Sequence, residues 1–159
     1  MSVERIIIGA DHAGFQLKEA IKPYLANLGW TVTDVGAGNP EPVDYPLYGA
    51  EVAAKVSSGE FPRGILICGS GVGMTVVANK FPRIRAALCL DEDTARLSRL
   101  HNDVNILCLA GRKTDPETAQ KIIEVWLKTA FEGGRHLRRI EKIRDIEEQI
   151  CHPRRGVIK

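Results

Sequence analysis

No apolar run in this 159-residue chain approaches the length of a membrane span, about 18 residues. The N-terminal stretch MSVERIIIGADHAG has three consecutive isoleucines and then turns polar, too short for the core of a signal peptide. The chain is therefore expected to be soluble and cytoplasmic. Cysteine is sparse: Cys68, Cys89, Cys108 and Cys151 form no CxxC pair and have no closely spaced histidine, which excludes a zinc knuckle and a disulfide framework. Three of them sit at or near the ends of apolar runs, where a small buried thiol is expected, and Cys68 is the exception. Excess charge is also lacking. Lys and Arg number 22 against 20 Asp and Glu, a net charge of +2 that gives no case for a nucleic-acid or membrane-surface partner. With no internal repeat, low-complexity tract or linker, the 44% hydrophobic chain is expected to form one domain over residues 1–150, followed by a patternless tail, CHPRRGVIK, at 151–159.

What is present is an alternation. β-Branched or aliphatic runs at 5–9, 30–35, 64–68, 84–90 and 104–110 predict strands, and the stretches between them have helical period. Phe15, Leu17, Ile21, Leu25 and Leu28 predict a first helix that Gly29 stops and Pro23 kinks or interrupts. Pro46 predicts the first residue of a second helix. Thr114-Asp115-Pro116-Glu117 reads as a helix start, with Ile122, Ile123, Trp126 and Leu127 as its apolar face. Leu137, Ile140, Ile143 and Ile146 predict a charged last helix over 134–150 that packs one stripe. Five near-continuously apolar strands separated by helices predict a doubly wound α/β fold of the Rossmann or flavodoxin-like kind: a five-stranded parallel sheet with helices on both faces and an extended C-terminal helix.

In such sheets ligands bind beyond the carboxyl ends of the strands. Those ends carry, in order, Asp11-His12, the loop GAGNPEPVDYP at 36–46 with Asp44 and Tyr45, Cys68 with its glycines, Asp91-Glu92-Asp93, and Gly111-Arg112. The stretch GSGVGM at 69–74 fits neither G-x-G-x-x-G nor G-x-x-x-x-G-K-[ST], so it is no nucleotide-binding fingerprint. Its glycines serve either a tight turn or a cradle of exposed amides for a phosphate or a developing oxyanion. Cys68, just before this loop, is either a buried strand residue or a thiolate favoured by those amides, suited to proton abstraction or nucleophilic attack. His101 is a candidate for proton transfer near neutral pH. Arg135 and Arg139 share a helix face, and with Arg112 they suit a phosphate unless they form a solvated basic face. A flavin-binding electron carrier is disfavoured, because the first loop is ADHAGFQ rather than a Ser/Thr-rich phosphate cradle.

GADHAGF at 9–15, DYP at 44–46, CGSGVGM at 68–74, ANK at 78–80, HND at 101–103, AGR at 110–112 and EGGRHLRRI at 132–140 together resemble the type B ribose-5-phosphate isomerases, in family order over nearly the whole chain. The wider family includes allose-6-phosphate and galactose-6-phosphate isomerases. The resemblance implies interconversion of ribose 5-phosphate and ribulose 5-phosphate through a cis-enediolate, with neither metal nor organic cofactor. It implies Cys68 as the base between C1 and C2, assisted by Ser70, with the amides of Gly69, Ser70, Gly71, Val72 and Gly73 holding the enediolate oxygen. His101 would open the furanose ring. Asp11, His12 and Asn102 match sugar-contacting positions, Arg112, Arg135 and Arg139 match phosphate-binding positions, and Tyr45 serves as a pocket wall. Asp44, Asp91 and Asp103 are expected to be structural. Family members with glycine in place of Cys68 use a glutamate as base where this chain has Met74, so the role falls here on Cys68. The resemblance also implies a homodimer with the site between subunits, and leaves pairing into tetramers open. A six-carbon substrate remains an alternative. A non-catalytic phosphosugar-binding module is a remoter one, since a pure binder has no need of Cys68, Ser70, His101 and three arginines together.

Overall fold

The computed structural model describes residues 4–152. Five strands, β1 (Glu4–Ala10), β2 (Trp30–Asp34), β3 (Gly64–Cys68), β4 (Ala86–Leu88) and β5 (Ile106–Ala110), form one parallel sheet in the order β2-β1-β3-β5-β4. Six helices complete it: α1 (Phe15–Asn27), α2 (Tyr45–Ser57), α3 (Val72–Ala78), α4 (Glu92–Asn102), α5 (Pro116–Lys128) and α6 (Arg135–Cys151). The expected doubly wound α/β class is observed. Side chains of the central strands alternate between two apolar clusters. Ile6, Ile8, Ile65, Ile67, Leu107 and Leu109 face α1 and α5, while Ile7, Leu66, Cys68, Ile106 and Cys108 face α2 and α3. Among the described residues no helix is long and apolar enough to cross a membrane.

Several boundaries differ from the sequence expectation. The fourth strand shrinks to three residues because β4 is an edge whose free side is taken up locally. The Asn79 amide donates to Ala86 O at 2.9 Å and accepts from Ala86 N at 2.9 Å. Helix α1 runs unbroken through Pro23, whose ring lies on the exposed face, where water can solvate the carbonyl one turn back. It ends as expected at Gly29, with φ +88° and its N–H on Ala26 O at 3.0 Å. Helix α2 starts at Tyr45, one residue before Pro46. Asp115 caps α5 by accepting from Thr118 N at 2.9 Å. The expected stripe on α6 is packed only at Ile140, one turn from the buried His136; Leu137, Ile143 and Ile146 are 41%, 47% and 56% exposed, and Ile150 beyond them 73%. The helix packs against α4, and further along it the Glu147 carboxylate accepts from Arg83 N at 2.9 and 3.0 Å. Of the tail, Cys151 closes α6 and His152 follows it, and residues 153–159 lie outside the described residues.

One buried cation ties the first βαβ unit to the loop that follows it. Lys18 is 1% exposed, and its Nζ donates to Asp34 Oδ2 at 2.7 Å and to Ala37 O at 2.8 Å. Lys22 Nζ reaches the same carboxylate oxygen at 2.8 Å. Partial burial opposes ionisation of Asp34, but bonds from Lys18, Lys22 and the Gly36 N–H outweigh it and hold the carboxyl below its ordinary 3.8. This stabilisation is complete above about pH 4 and is lost as pH falls through the lower folded value. Asp34→Asn is expected to lower stability by about 2 kcal/mol at neutral pH, since it leaves the buried ammonium with only the more exposed Glu19 carboxylate, at 3.3 Å, and to flatten the acid limb of the stability profile. Urea unfolding between pH 3 and 7 checks both effects.

Candidate active site

The sheet order reverses between β1 and β3, so the loops leaving their carboxyl ends diverge and open a crevice there. Cys68 ends β3 opposite Ala110 of β5 and is 4% exposed. Its carbonyl accepts from Gly111 N at 2.8 Å, and Gly69 O accepts from Arg112 N at 3.1 Å. The chain then turns sharply into α3 through Gly71, at φ +76°, where a Cβ would lie 2.4 Å from Leu88 Cδ1 and 3.0 Å from Leu109 O. Ser70 is exposed and its Oγ accepts from Val72 N at 3.3 Å. Thr75 is the first residue of α3 whose N–H bonds back, to Gly71 O at 3.2 Å, which leaves the Gly73 N–H ahead of the helical ladder.

Three side chains close around this loop. The Arg112 guanidinium lies against Gly69, where a Cβ would be 3.1 Å from its Nη1. The Tyr45 ring lies on Gly73, with its Cζ 2.6 Å from where a Cβ would stand. Asp11, 5% exposed, donates its N–H to Ile67 O at 3.2 Å, and its carboxylate accepts from Gly14 N at 3.0 Å. Next to it, His12 Nδ1 lies 3.1 Å from Val43 N and 3.3 Å from Val43 O, so the backbone of Val43 fixes the ring's position. Met74 is fully buried beneath the loop and offers no base.

The remaining candidates stand elsewhere. Helix α4 starts at the carboxyl edge of the sheet and runs back to the opposite edge, so His101 and Asn102 lie where β5 begins rather than where it ends. The length of β5, about 13 Å at ~3.3 Å per residue, separates them from the edge that holds Cys68. The structure brings Asp11, His12, Tyr45, Cys68, the glycine loop and Arg112 together, and does not bring His101, Asn102, Arg135 or Arg139 to them. Arg135 and Arg139 are exposed, one turn apart on α6.

His101 keeps different company. Its ring stacks on that of His136, with centroids 4.2 Å apart and planes 13° from parallel. Glu132 Oε2 lies 3.4 Å from His136 Nε2 and 4.0 Å from His101 Nε2, and Arg135 Nε lies 3.4 Å from His136 Nε2. Burial, then the neighbouring His101 and Arg135, push the His136 imidazole below its ordinary pKa, against the pull of Glu132. Donor atoms of His101, Glu132 and His136 lie within 4.8 Å of one another. A chelate is nevertheless disfavoured: the lone pairs of near-parallel rings run side by side rather than converge, and Arg135 adds positive charge. Sequence reasoning passed over His136 and Glu132, although both lie in EGGRHLRRI, because which neighbour of Arg135 turns inward depends on how α6 docks.

The other thiols are inert or remote. Burial pushes Cys89 up to about 11 and Cys108 up to about 12. Cys151, expected to be buried, is exposed at the last residue of α6. Two open cavities of about 560 and 630 Å³ flank β4 and α6, lined by Leu97, Asn102 and Ile143 and by Arg83, Arg144 and Glu148 respectively, and neither reaches Cys68.

An open parallel sheet with a thiol, a glycine turn, a carboxylate and a guanidinium at its reversal point defines an α/β protein built to hold a small anionic ligand at the carboxyl edge. Comparison with known proteins makes this particular. The model of the Ribose/Galactose Isomerase family matches residues 6–143, and the chain belongs to that family of isomerases. It is 45% identical over 147 residues to ribose-5-phosphate isomerase B of Escherichia coli, which covers 92% of this chain and 99% of that protein. It is 42% identical over 149 residues to the D-erythrulose-4-phosphate isomerase of Pectobacterium atrosepticum, covering 92% and 97%. The solved ribose-5-phosphate isomerase B of Clostridium thermocellum superposes with a TM-score of 0.90 at 48% identity, over 92% of this chain and 99% of that one.

Two glycine substitutions separate fold from site. Gly71→Ala is expected to lower stability by about 1–3 kcal/mol, through left-handed strain and a clash with backbone. Gly73→Ala displaces only the far end of Tyr45 and is expected to leave the urea midpoint near wild type while shifting the Tyr45 ring resonances in NMR spectra.

Proposed function

We propose that the protein interconverts D-ribose 5-phosphate and D-ribulose 5-phosphate as a cytoplasmic homodimer, with a catalytic domain over residues 1–150 and without metal or organic cofactor. The observation that carries this reading is the position of Cys68, directly before a glycine turn whose Gly73 N–H lies ahead of the helical ladder, at the crevice of a chain in an isomerase family. The Cys68 thiolate takes the C2 proton of the open-chain aldose and returns it to C1, with Ser70 beside it. The amides from Gly69 to Gly73 hold the enediolate oxygen, where preorganised donors lower the barrier most. His101 gives a proton to the ring oxygen as its bond to C1 breaks, and the anomeric hydroxyl releases a proton to water as the C1 carbonyl forms; only the open sugar has the carbonyl that acidifies C2. Asp11, His12 and Asn102 take the hydroxyls. Tyr45 walls the pocket, and Arg112, Arg135 and Arg139 hold the phosphate.

A five-carbon phosphate is too short to reach from Cys68 to the far edge of the same protomer, which supports a site shared between subunits. The unpacked apolar stripe of α6 and exposed Val72 and Val76 supply surface for such a pairing. The Pectobacterium relative, an isomerase of a four-carbon sugar phosphate, favours a second reading in which chain length is set differently. Allose 6-phosphate and galactose 6-phosphate are the six-carbon candidates.

Cys68→Ala and His101→Asn are each expected to lower kcat on ribose 5-phosphate by about a hundredfold or more, with chelator present. Unfolded together in equal amounts and refolded, they are expected to recover about a quarter of wild-type activity: half the dimers are mixed, and each mixed dimer holds one intact site out of two. Inactive variants that fail to complement each other would place both groups in one subunit. Wild-type inactivity on ribose 5-phosphate, with turnover of a four- or six-carbon phosphate, would favour the second reading. Binding without turnover of any would leave a phosphosugar-binding protein.

A further inference from the structure

We infer that His136 is a positioning residue for His101, holding the imidazole in its working orientation by face-to-face stacking, with Glu132 closing the open side of the pair. The inference rests on the reading of His101 as the group that opens the sugar ring. His101 is the penultimate residue of α4, and its side chain is 37% exposed. An imidazole there has a broad choice of rotation about its terminal torsion, whereas proton transfer to a ring oxygen needs one direction held to within a fraction of an ångström. Nothing on α4 supplies that restraint. It comes from α6, where His136 is 4% exposed and lies flat against His101, 4.2 Å between centroids.

The segment before α6 is fastened to the same place. Glu132 N donates to Leu100 O at 3.1 Å, so the carboxylate is anchored one residue from His101 and reaches both rings from one side. The charged and titratable groups facing His136 are His101 from α4, Glu132 from the preceding segment, and Arg135 and Arg139 from α6 itself. Burial and three cationic or imidazole neighbours against one carboxylate disfavour a proton on His136, so the buried ring serves as a neutral plate. Two stacked imidazoles cannot both be charged without repulsion, and a neutral His136 sets no charge against the face of His101.

The test separates ring opening from enolisation. Ribulose 5-phosphate cannot close a five-membered ring, because its C5 hydroxyl is esterified, so entry of solvent deuterium at its C1 needs the base and not the ring-opening acid. His136→Ala is expected to lower kcat on ribose 5-phosphate about tenfold to a hundredfold, with KM within about threefold and deuterium entry close to wild type. His136→Phe, which keeps the flat ring and loses both nitrogens, is expected to restore most of kcat. Equal loss of turnover and deuterium entry in His136→Ala, no loss of either, or a His136→Phe variant as poor as His136→Ala would overturn the inference. So would turnover that requires an added divalent metal and vanishes with chelator, since the trio would then be ligands. Deuterium entry abolished by His101→Asn would instead count against the ring-opening reading itself, and the positioning role would fall with it.

Discussion

Burial of the central strands on both faces is the constraint from which the rest of the structure follows. β3 and β5 are fully buried and β1 nearly so, with apolar side chains alternating into two separate clusters. A strand so enclosed has no room along its length for a charged or catalytic side chain without heavy desolvation. Polar chemistry is therefore displaced to the two edges of the sheet. At the carboxyl edge the parallel register sets Cys68 beside Ala110, and hydrogen bonds from Asp11 N and Gly111 N to the last carbonyls of β3 lock three loops into one cluster.

The helices decide which edge each group reaches. A crossover helix in a parallel sheet must carry the chain back to the start of the next strand, so the end of α4 is bound to lie at the edge opposite the end of β3. His101 is thus set apart from Cys68 by the same topology that builds the crevice. α6 then fastens onto α4 through His136 and Ile140 and leaves with its apolar stripe uncovered. A half-site at each edge and an unpacked apolar face belong together if two protomers complete one another, which is the arrangement proposed for the reaction.

Two thiols of one apolar cluster sit in different surroundings. Cys108, one pleat further into the sheet, is wholly enclosed and its thiol is pushed up to about 12. Cys68 belongs to the same apolar cluster but is the last residue of its strand, at the lip of the glycine turn. Gly71 makes that turn possible, since no other residue fits its left-handed backbone against Leu88 and Leu109.

The sequence by itself determined the α/β class, the strands of the core, the stop at Gly29, the start of α5 and the gathering of Asp11, Tyr45, Cys68 and Arg112. These depend on local periodicity, capping chemistry and the rule that loops after parallel strands converge. Pro23 misled because a break depends on whether the affected carbonyl reaches water, which local pattern does not reveal. The α6 stripe misled because periodicity states which residues share a face and not whether anything lies opposite it. The separation of His101 from Cys68, the stacking of His101 on His136, the Glu132 carboxylate beside both rings and the burial of Lys18 were decided only by the tertiary structure. Each is a contact between elements remote in sequence, set by strand order and helix docking, and neither leaves a period or a spacing in the chain.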